Sequence, residues 1–183
     1  MWITSHRYLA KKIYHYIRDK YGFDLRLDLL QYGSIIPDIQ WRYMKNNHYY
    51  EIGYVDWLQE IGQLFKDHRY KDIGQFSQKL GIILHYTADY HTYAHINEEL
   101  KKNKRKHLLY ELKLHQALLQ YDYRVDENQY RCGNVHSLMQ KLGHEYSLTK
   151  PSLENDIQFI YTASIAITNL IVEAVLVPAV NAV

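Results

Sequence analysis

The sequence is short of cysteine, proline and glycine, and each shortage excludes something. One cysteine, Cys132, among 183 residues rules out an internal disulfide framework and every cysteine-rich zinc module, and says nothing of redox compartment. Three prolines and eight glycines are too few breakers for a many-stranded architecture, so the composition favours helices. Charge is not in surplus either. Lys and Arg number 22 against 20 Asp and Glu, and a net charge of +2 does not argue for a nucleic-acid scaffold. The opening Met1-Trp2-Ile3-Thr4-Ser5-His6 lacks the basic region, apolar run and small-residue cleavage site of a secretory signal. As written the chain therefore reads as cytoplasmic, or as secreted if it is a processed form. The apolar stretch 157–183 is interrupted by Asn169, Glu173 and Pro178, with Glu154 and Asp156 just ahead of it, and reads as a buried core helix with no transmembrane segment.

What remains is a helical pattern. The length suits a single domain spanning 1–183, large enough to fold without a stabilising metal, so that any metal serves chemistry. Residues 5–20 open on Ser5 as a cap, place Leu9, Ile13, Tyr16 and Ile17 at helical spacing and stop at Gly22. A short helix over 25–32 leads into a turn at 33–38, where Gly33 and Pro37 bracket the chain. A third helix over 51–65 is expected to present Ile52, Val55, Leu58, Ile61 and Phe65 on one side. The longest pattern covers 72–93, with Ile73, Phe76, Leu80, Ile83 and Leu84 as its apolar face and Gly81 marking close helix packing. After the basic run 101–106, a further helix carries Leu108, Leu109, Leu112 and Leu119. A polar loop over 121–133, a short helix over 136–142 and a long final helix opening at Pro151 complete an all-α, single-domain multi-helix bundle.

Histidine is the anomaly. A histidine and a carboxylate four residues apart share a helix face and can hold one metal, or orient one another. Eleven histidines would produce roughly one such pair by chance, and the chain has five: His15/Asp19, His68/Asp72, His85/Asp89, His95/Glu99 and His107/Glu111. The first two lie in charged, solvent-like stretches and read as surface pairs. His85 and Asp89 follow Leu80, Ile82, Ile83 and Leu84 in a helix that must be largely buried, where a charge needs a partner. His91 and His115 read as surface residues, and the tyrosines near these motifs as interhelical packing.

The string Leu84-His85-Tyr86-Thr87-Ala88-Asp89-Tyr90-His91-Thr92-Tyr93-Ala94-His95 resembles the zinc-dependent phospholipase C family, which shares its fold with fungal zinc nucleases specific for single strands. In that superfamily a helix carries His-x-x-x-Asp followed six residues later by His. Further matches fall in order. Gly33-Ser34-Ile35-Ile36-Pro37-Asp38 is similar to the family's glycine-rich turn ending in Pro-Asp, and His48 follows ten residues on. His107-Leu108-Leu109-Tyr110-Glu111 resembles the His-x-x-x-Glu of the separate zinc site, and His6 takes the place of the N-terminal histidine.

The resemblance implies two or three zinc ions per chain. Asp38, His48, His85 and Asp89 would hold one ion, and His95, His107 and Glu111 another. His6 and the N-terminal residue would hold a third, with Asp89 bridging it to the first. Asp38 would double as general base, and the implied activity is zinc-dependent phosphodiester hydrolysis, of phospholipase C type on a glycerophospholipid. A nuclease on the same scaffold is the alternative, as is a metal-binding member without turnover. Glu111 in place of Asp and the lone Cys132 lean away from the nucleases. The implied partners are a phospholipid or other phosphodiester substrate and a membrane surface touched peripherally, with no specific protein partner. One departure concerns the N-terminus. Exported relatives ligate zinc with a freed tryptophan amine, whereas Met1 here precedes Trp2, which implies that the position at His6 is the least occupied.

Overall fold

The computed structural model describes residues 1–40, 43, 50–66, 72–123, 130 and 133–180, and all regular structure among them is helical. The elements in chain order are α1 (Ile3–Tyr21), α2 (Leu27–Gly33), α3 (Ile36–Ile39), α4 (Tyr50–Lys66), α5 (Ile73–Tyr90), a 3₁₀ turn (Tyr93–His95), α6 (Glu98–Lys102), α7 (Lys104–Gln120), α8 (Val135–Ser147) and α9 (Leu153–Val180). Helix α5 is the axis of the bundle. Every residue from 80 to 90 is buried, because α2, α4 and α9 cover it on different sides, while α1 lies across α2. Asp72 caps it, its carboxylate accepting from the Gly74 N–H at 2.8 Å.

A very close backbone approach joins α2 to α5. A Cβ at Gly33 would be driven into the carbonyl of Gln78, and one at Gly81 into the carbonyl of Leu30, so only glycines permit these backbones to touch. Close packing at Gly81 is thus as expected. Gly22 ends α1 in the left-handed conformation (φ 72°) and returns its N–H to Arg18 O at 3.0 Å.

Several local expectations need correction. Ser5 does not cap α1. The helix begins at Ile3 with no side-chain cap, and the buried Ser5 Oγ bonds instead to His115 Nδ1 at 2.9 Å, with Thr4 Oγ1 3.3 Å from the other ring nitrogen. The turn over 33–38 contains a helical turn of its own, since Pro37 suits the first turn of α3. On α4, Val55 is solvent-exposed, and the buried face is Trp57, Ile61 and Leu64, with the Trp57 indole donating to Ile83 O at 3.2 Å. Pro151 precedes α9 instead of opening it. Ser152 Oγ accepts from Asn155 N–H at 3.1 Å and sets the helix start.

Helix α5 stops at Tyr90, three residues early, because Thr92 is extended (φ −120°, ψ 123°). Side chains of the following residues then satisfy its terminal carbonyls: His91 Nδ1 donates to Thr87 O at 2.8 Å and Thr92 Oγ1 to Ala88 O at 2.9 Å. His91 is accordingly buried, correcting its reading as a surface residue. Helix α9 is long and apolar enough to cross a membrane by composition, contrary to the reading that its polar interruptions forbid this. Yet 67% of that window is buried within the bundle, against α5, α7 and α8, so it is a core helix.

Candidate metal centre

Five elements bring the histidine and carboxylate side chains together. His6 comes from the first turns of α1, Asp38 from α3, His85 and Asp89 from successive turns of α5, His95 from the 3₁₀ turn, and His107 and Glu111 from successive turns of α7. His48 lies outside the described residues. Ligand atoms of His6, Asp38 and His85 fall within 4.8 Å of one another, as do those of His95, His107 and Glu111, so each trio could hold a metal ion. Asp89 stands between the trios. Its Oδ2 is 3.3 Å from His85 Nε2, and its Oδ1 is 3.3 Å from His6 Nε2 and 3.7 Å from His95 Nε2. In the second trio, Glu111 Oε1 lies 3.3 Å from His95 Nε2 and 3.0 Å from His107 Nε2.

Of the five His-x-x-x-acid pairs, two thus enter the cluster. His95 joins Glu111 across the bundle, while Glu99 points to solvent and pairs with Lys106. The early end of α5 makes this arrangement. On a continued straight helix, six residues would carry His95 off the Asp89 face, whereas the turn at His91 and Thr92 swings it back to within 3.7 Å.

The close approach at Gly33 and Gly81 has a second effect. It brings Ser34 O to 2.9 Å from His85 Nδ1. A carbonyl only accepts, so a proton sits on Nδ1 and Nε2 is the ring nitrogen that faces Asp38 and Asp89, at 3.8 and 3.3 Å. A backbone carbonyl behind the ring in this way orients an imidazole toward a metal.

Electrostatics agree. Burial pushes His6 well below its ordinary value, helped by the adjacent His85, and burial brings His95 down to about 4. Both rings are neutral at neutral pH. Burial would raise Asp89, but the Met1 ammonium above all holds it well below the carboxylate range. Glu111 is lowered in the same way, burial being outweighed by the ammonium, His107 and His95. The Met1 ammonium itself stands 2.6 Å from Asp89 Oδ1, 3.0 Å from Glu111 Oε1 and 3.1 Å from His95 Nε2. Burial lowers its pKa, yet the surrounding carboxylates carry it up to about 10. A buried cation ringed by two carboxylates and an imidazole stands in for the positive charge that a metal supplies.

Fit to a metal is also tested by His6. The residue is 1% exposed and stacks on the His85 ring at 3.9 Å; its Nδ1 makes no hydrogen bond, and its Nε2 has only Asp89 Oδ1, at 3.3 Å. Leaving such a group unsatisfied costs about 1–3 kcal/mol. Coordination through one ring nitrogen would use its lone pair and remove that nitrogen's share of the penalty, so the residues present fit the group.

Asp156 was read in the sequence only as a break in an apolar stretch. It is buried on α9, where Oδ2 accepts from the Tyr93 N–H and the Tyr110 hydroxyl at 2.9 Å each, and Oδ1 from the Tyr146 hydroxyl at 2.6 Å. Tyr93 opens the turn carrying His95, and Tyr110 adjoins Glu111. One carboxylate therefore ties together the two elements that build the second trio. The signal available in sequence was an acid followed at once by a long apolar run, because such a charge needs partners.

The family described as zinc-dependent phospholipase C has a model that matches residues 5–167, which carries the likeness well past Glu111 and takes in Asp156. No curated protein and no solved structure matches the chain.

Proposed function

Because the chain belongs to the zinc-dependent phospholipase C family, we propose that it hydrolyses phosphodiesters in the phospholipase C manner, cleaving between the glycerol and the phosphorylated head group of a glycerophospholipid. The observation that carries the reading is the buried His6 imidazole gathered with Asp38, His85 and Asp89, its Nδ1 without a hydrogen bond. Nitrogen and oxygen donors without thiolate suit a catalytic zinc that keeps a position open for water. In this reading His6, Asp38, His85 and Asp89 hold zinc on one side, and His95, His107 and Glu111 on the other. The total is two or three ions per chain, all within one domain. Zinc bound there supplies acidification of a water and neutralisation of phosphate charge.

The chain's own residues do the rest. Ser34 O fixes the His85 tautomer, and burial keeps His6 and His95 neutral and able to donate lone pairs. Asp89 stays ionised between the groups. Asp38, whose side chain is 23% exposed while Asp89 is sealed, is the carboxylate that can reach substrate and solvent, and it takes the proton from the attacking water as general base.

The test is a screen of zinc-loaded protein against glycerophospholipids and other phosphodiesters. Hydrolysis of a glycerophospholipid is expected, abolished by chelation and lowered about a hundred- to ten-thousand-fold by Asp38→Asn. Fully zinc-loaded protein that leaves every glycerophospholipid intact would overturn the reading, and cleavage of single-stranded nucleic acid alone would replace it by the nuclease.

A further inference from the structure

Leu114 and Leu118 of α7 are buried in the core, but its other four leucines are not. Leu108, Leu109, Leu112 and Leu119 are between 41% and 56% exposed, because turning His107 and Glu111 inward leaves these positions facing out. Residues 108, 112 and 119 recur at i, i+4 and i+11, so they form one stripe on the helix, with Leu109 beside it. Basic residues crowd the same surface. Lys101, Lys102, Lys104, Arg105, Lys106 and Lys113 lie on α6 and α7; Lys101 and Lys102 pair with Glu98 and Lys106 with Glu99, the outward acids of these two helices, and basic side chains remain in excess. A chain of net charge +2 thus concentrates basic residues beside four exposed leucines.

A second observation concerns the rim of the metal centre. Asp38, His95, His107 and Glu111 are each followed directly in the chain by an exposed large apolar residue, namely Ile39, Ile96, Leu108 and Leu112. Consecutive Cα atoms are about 3.8 Å apart. The apolar surface therefore begins one residue away from the candidate ligands, on three separate elements.

We propose that this face, the outer side of α7 together with the apolar rim formed by Ile39 and Ile96, docks the protein on an anionic lipid surface. The proposal rests on the phospholipase reading for its purpose but not for its evidence. An amphipathic helix with leucines on one side and Lys and Arg around them is matched to an interface whose head groups are negative and whose interior is apolar. A second copy of the chain fits less well, since a two-fold contact would bring one basic run against the other. Docking this way holds the mouth of the metal centre against the layer from which a phospholipid head group must be reached.

The experiment is flotation of the full chain with vesicles of phosphatidylcholine alone and of phosphatidylcholine containing phosphatidylserine. The parent is expected to bind the second kind, more weakly as salt rises. Leu108→Gln with Leu112→Gln, exposed positions where Gln keeps helix propensity, should weaken binding at least about tenfold. Leu109→Gln with Leu119→Gln provides an independent pair. Lys104→Gln with Arg105→Gln should weaken it and flatten the salt dependence. Hydrolysis of a monomeric, water-soluble phosphodiester should be unchanged in all three. Binding is read without turnover, so it stands or falls separately from the hydrolase reading. Equal binding by parent and leucine variants, or none by the parent, overturns the proposal. A fall in oligomeric state in the leucine variants, with no vesicle binding by the parent, would give the face to a second copy instead.

Discussion

His107 and Glu111 stand one helical turn apart on α7 and need only His95 added, whereas His6, Asp38 and His85 meet where α1, α3 and α5 converge. The first trio thus depends on how closely backbones approach, at Gly33 and Gly81, and the second on a side-chain clamp, Asp156 with Tyr93 and Tyr110. Asp89 is shared. The contrast teaches that metal-ligand spacing along one helix is cheap to encode, while convergence of separate helices requires small residues and carbonyls placed far from the ligands in sequence.

The largest effect is expected where the two halves meet. Asp89→Asn removes the carboxylate facing both trios and leaves the surrounding charges uncompensated, which costs about 3–5 kcal/mol of folding stability and should abolish turnover with the loss of the shared metal ligand. Rates on the best phosphodiester substrate check it. Gly81→Ala acts on the first half alone. Its methyl would collide with the Leu30 carbonyl, so about 3 kcal/mol of stability should be lost, and urea unfolding reads it. The displaced Ser34 carbonyl should also weaken zinc at His85.

Next comes the joint between the halves. His91 closes α5 and opens the turn to His95, and burial lowers its pKa to about 4. The unfolded chain takes up its proton near pH 6.5 and the folded one only near 4, so His91 withdraws stability as pH falls through that window, by about 3 kcal/mol. Acid unfolding of His91→Gln should be correspondingly flatter between these values than that of the parent. The smallest effect sharpens the contrast. Asp156→Asn should loosen the second trio, lowering zinc affinity there about ten- to a hundredfold while leaving the first trio loaded. Zinc titration of the variant reads both.

Legibility in the sequence follows the same division. The i, i+4 pairs His85/Asp89 and His107/Glu111 were visible as an excess over chance, because helical periodicity is a local property. That His95 belongs with Glu111 and not Glu99 was not derivable from spacing, since it depends on Thr92 leaving the helix. The convergence of His6 and Asp38 on His85 came from family likeness and not from any pattern in the residues. Most helices were placed to within a few residues, but faces were less certain. Val55 lost its buried place to Trp57, and Leu108, Leu109, Leu112 and Leu119 of α7 gave theirs to Glu111, Leu114 and Leu118, because an inward-facing metal centre overrides hydrophobic patterning. Asp156 was overlooked because its partners, Tyr93, Tyr110 and Tyr146, lie on three other elements.

The central claim is that the two trios are metal positions. Crystals of zinc-loaded protein, measured at the zinc absorption edge, test it most directly. An anomalous peak among His6, Asp38, His85 and Asp89 and another among His95, His107 and Glu111 are the predicted result. Fully loaded protein whose peaks lie away from both trios would contradict it.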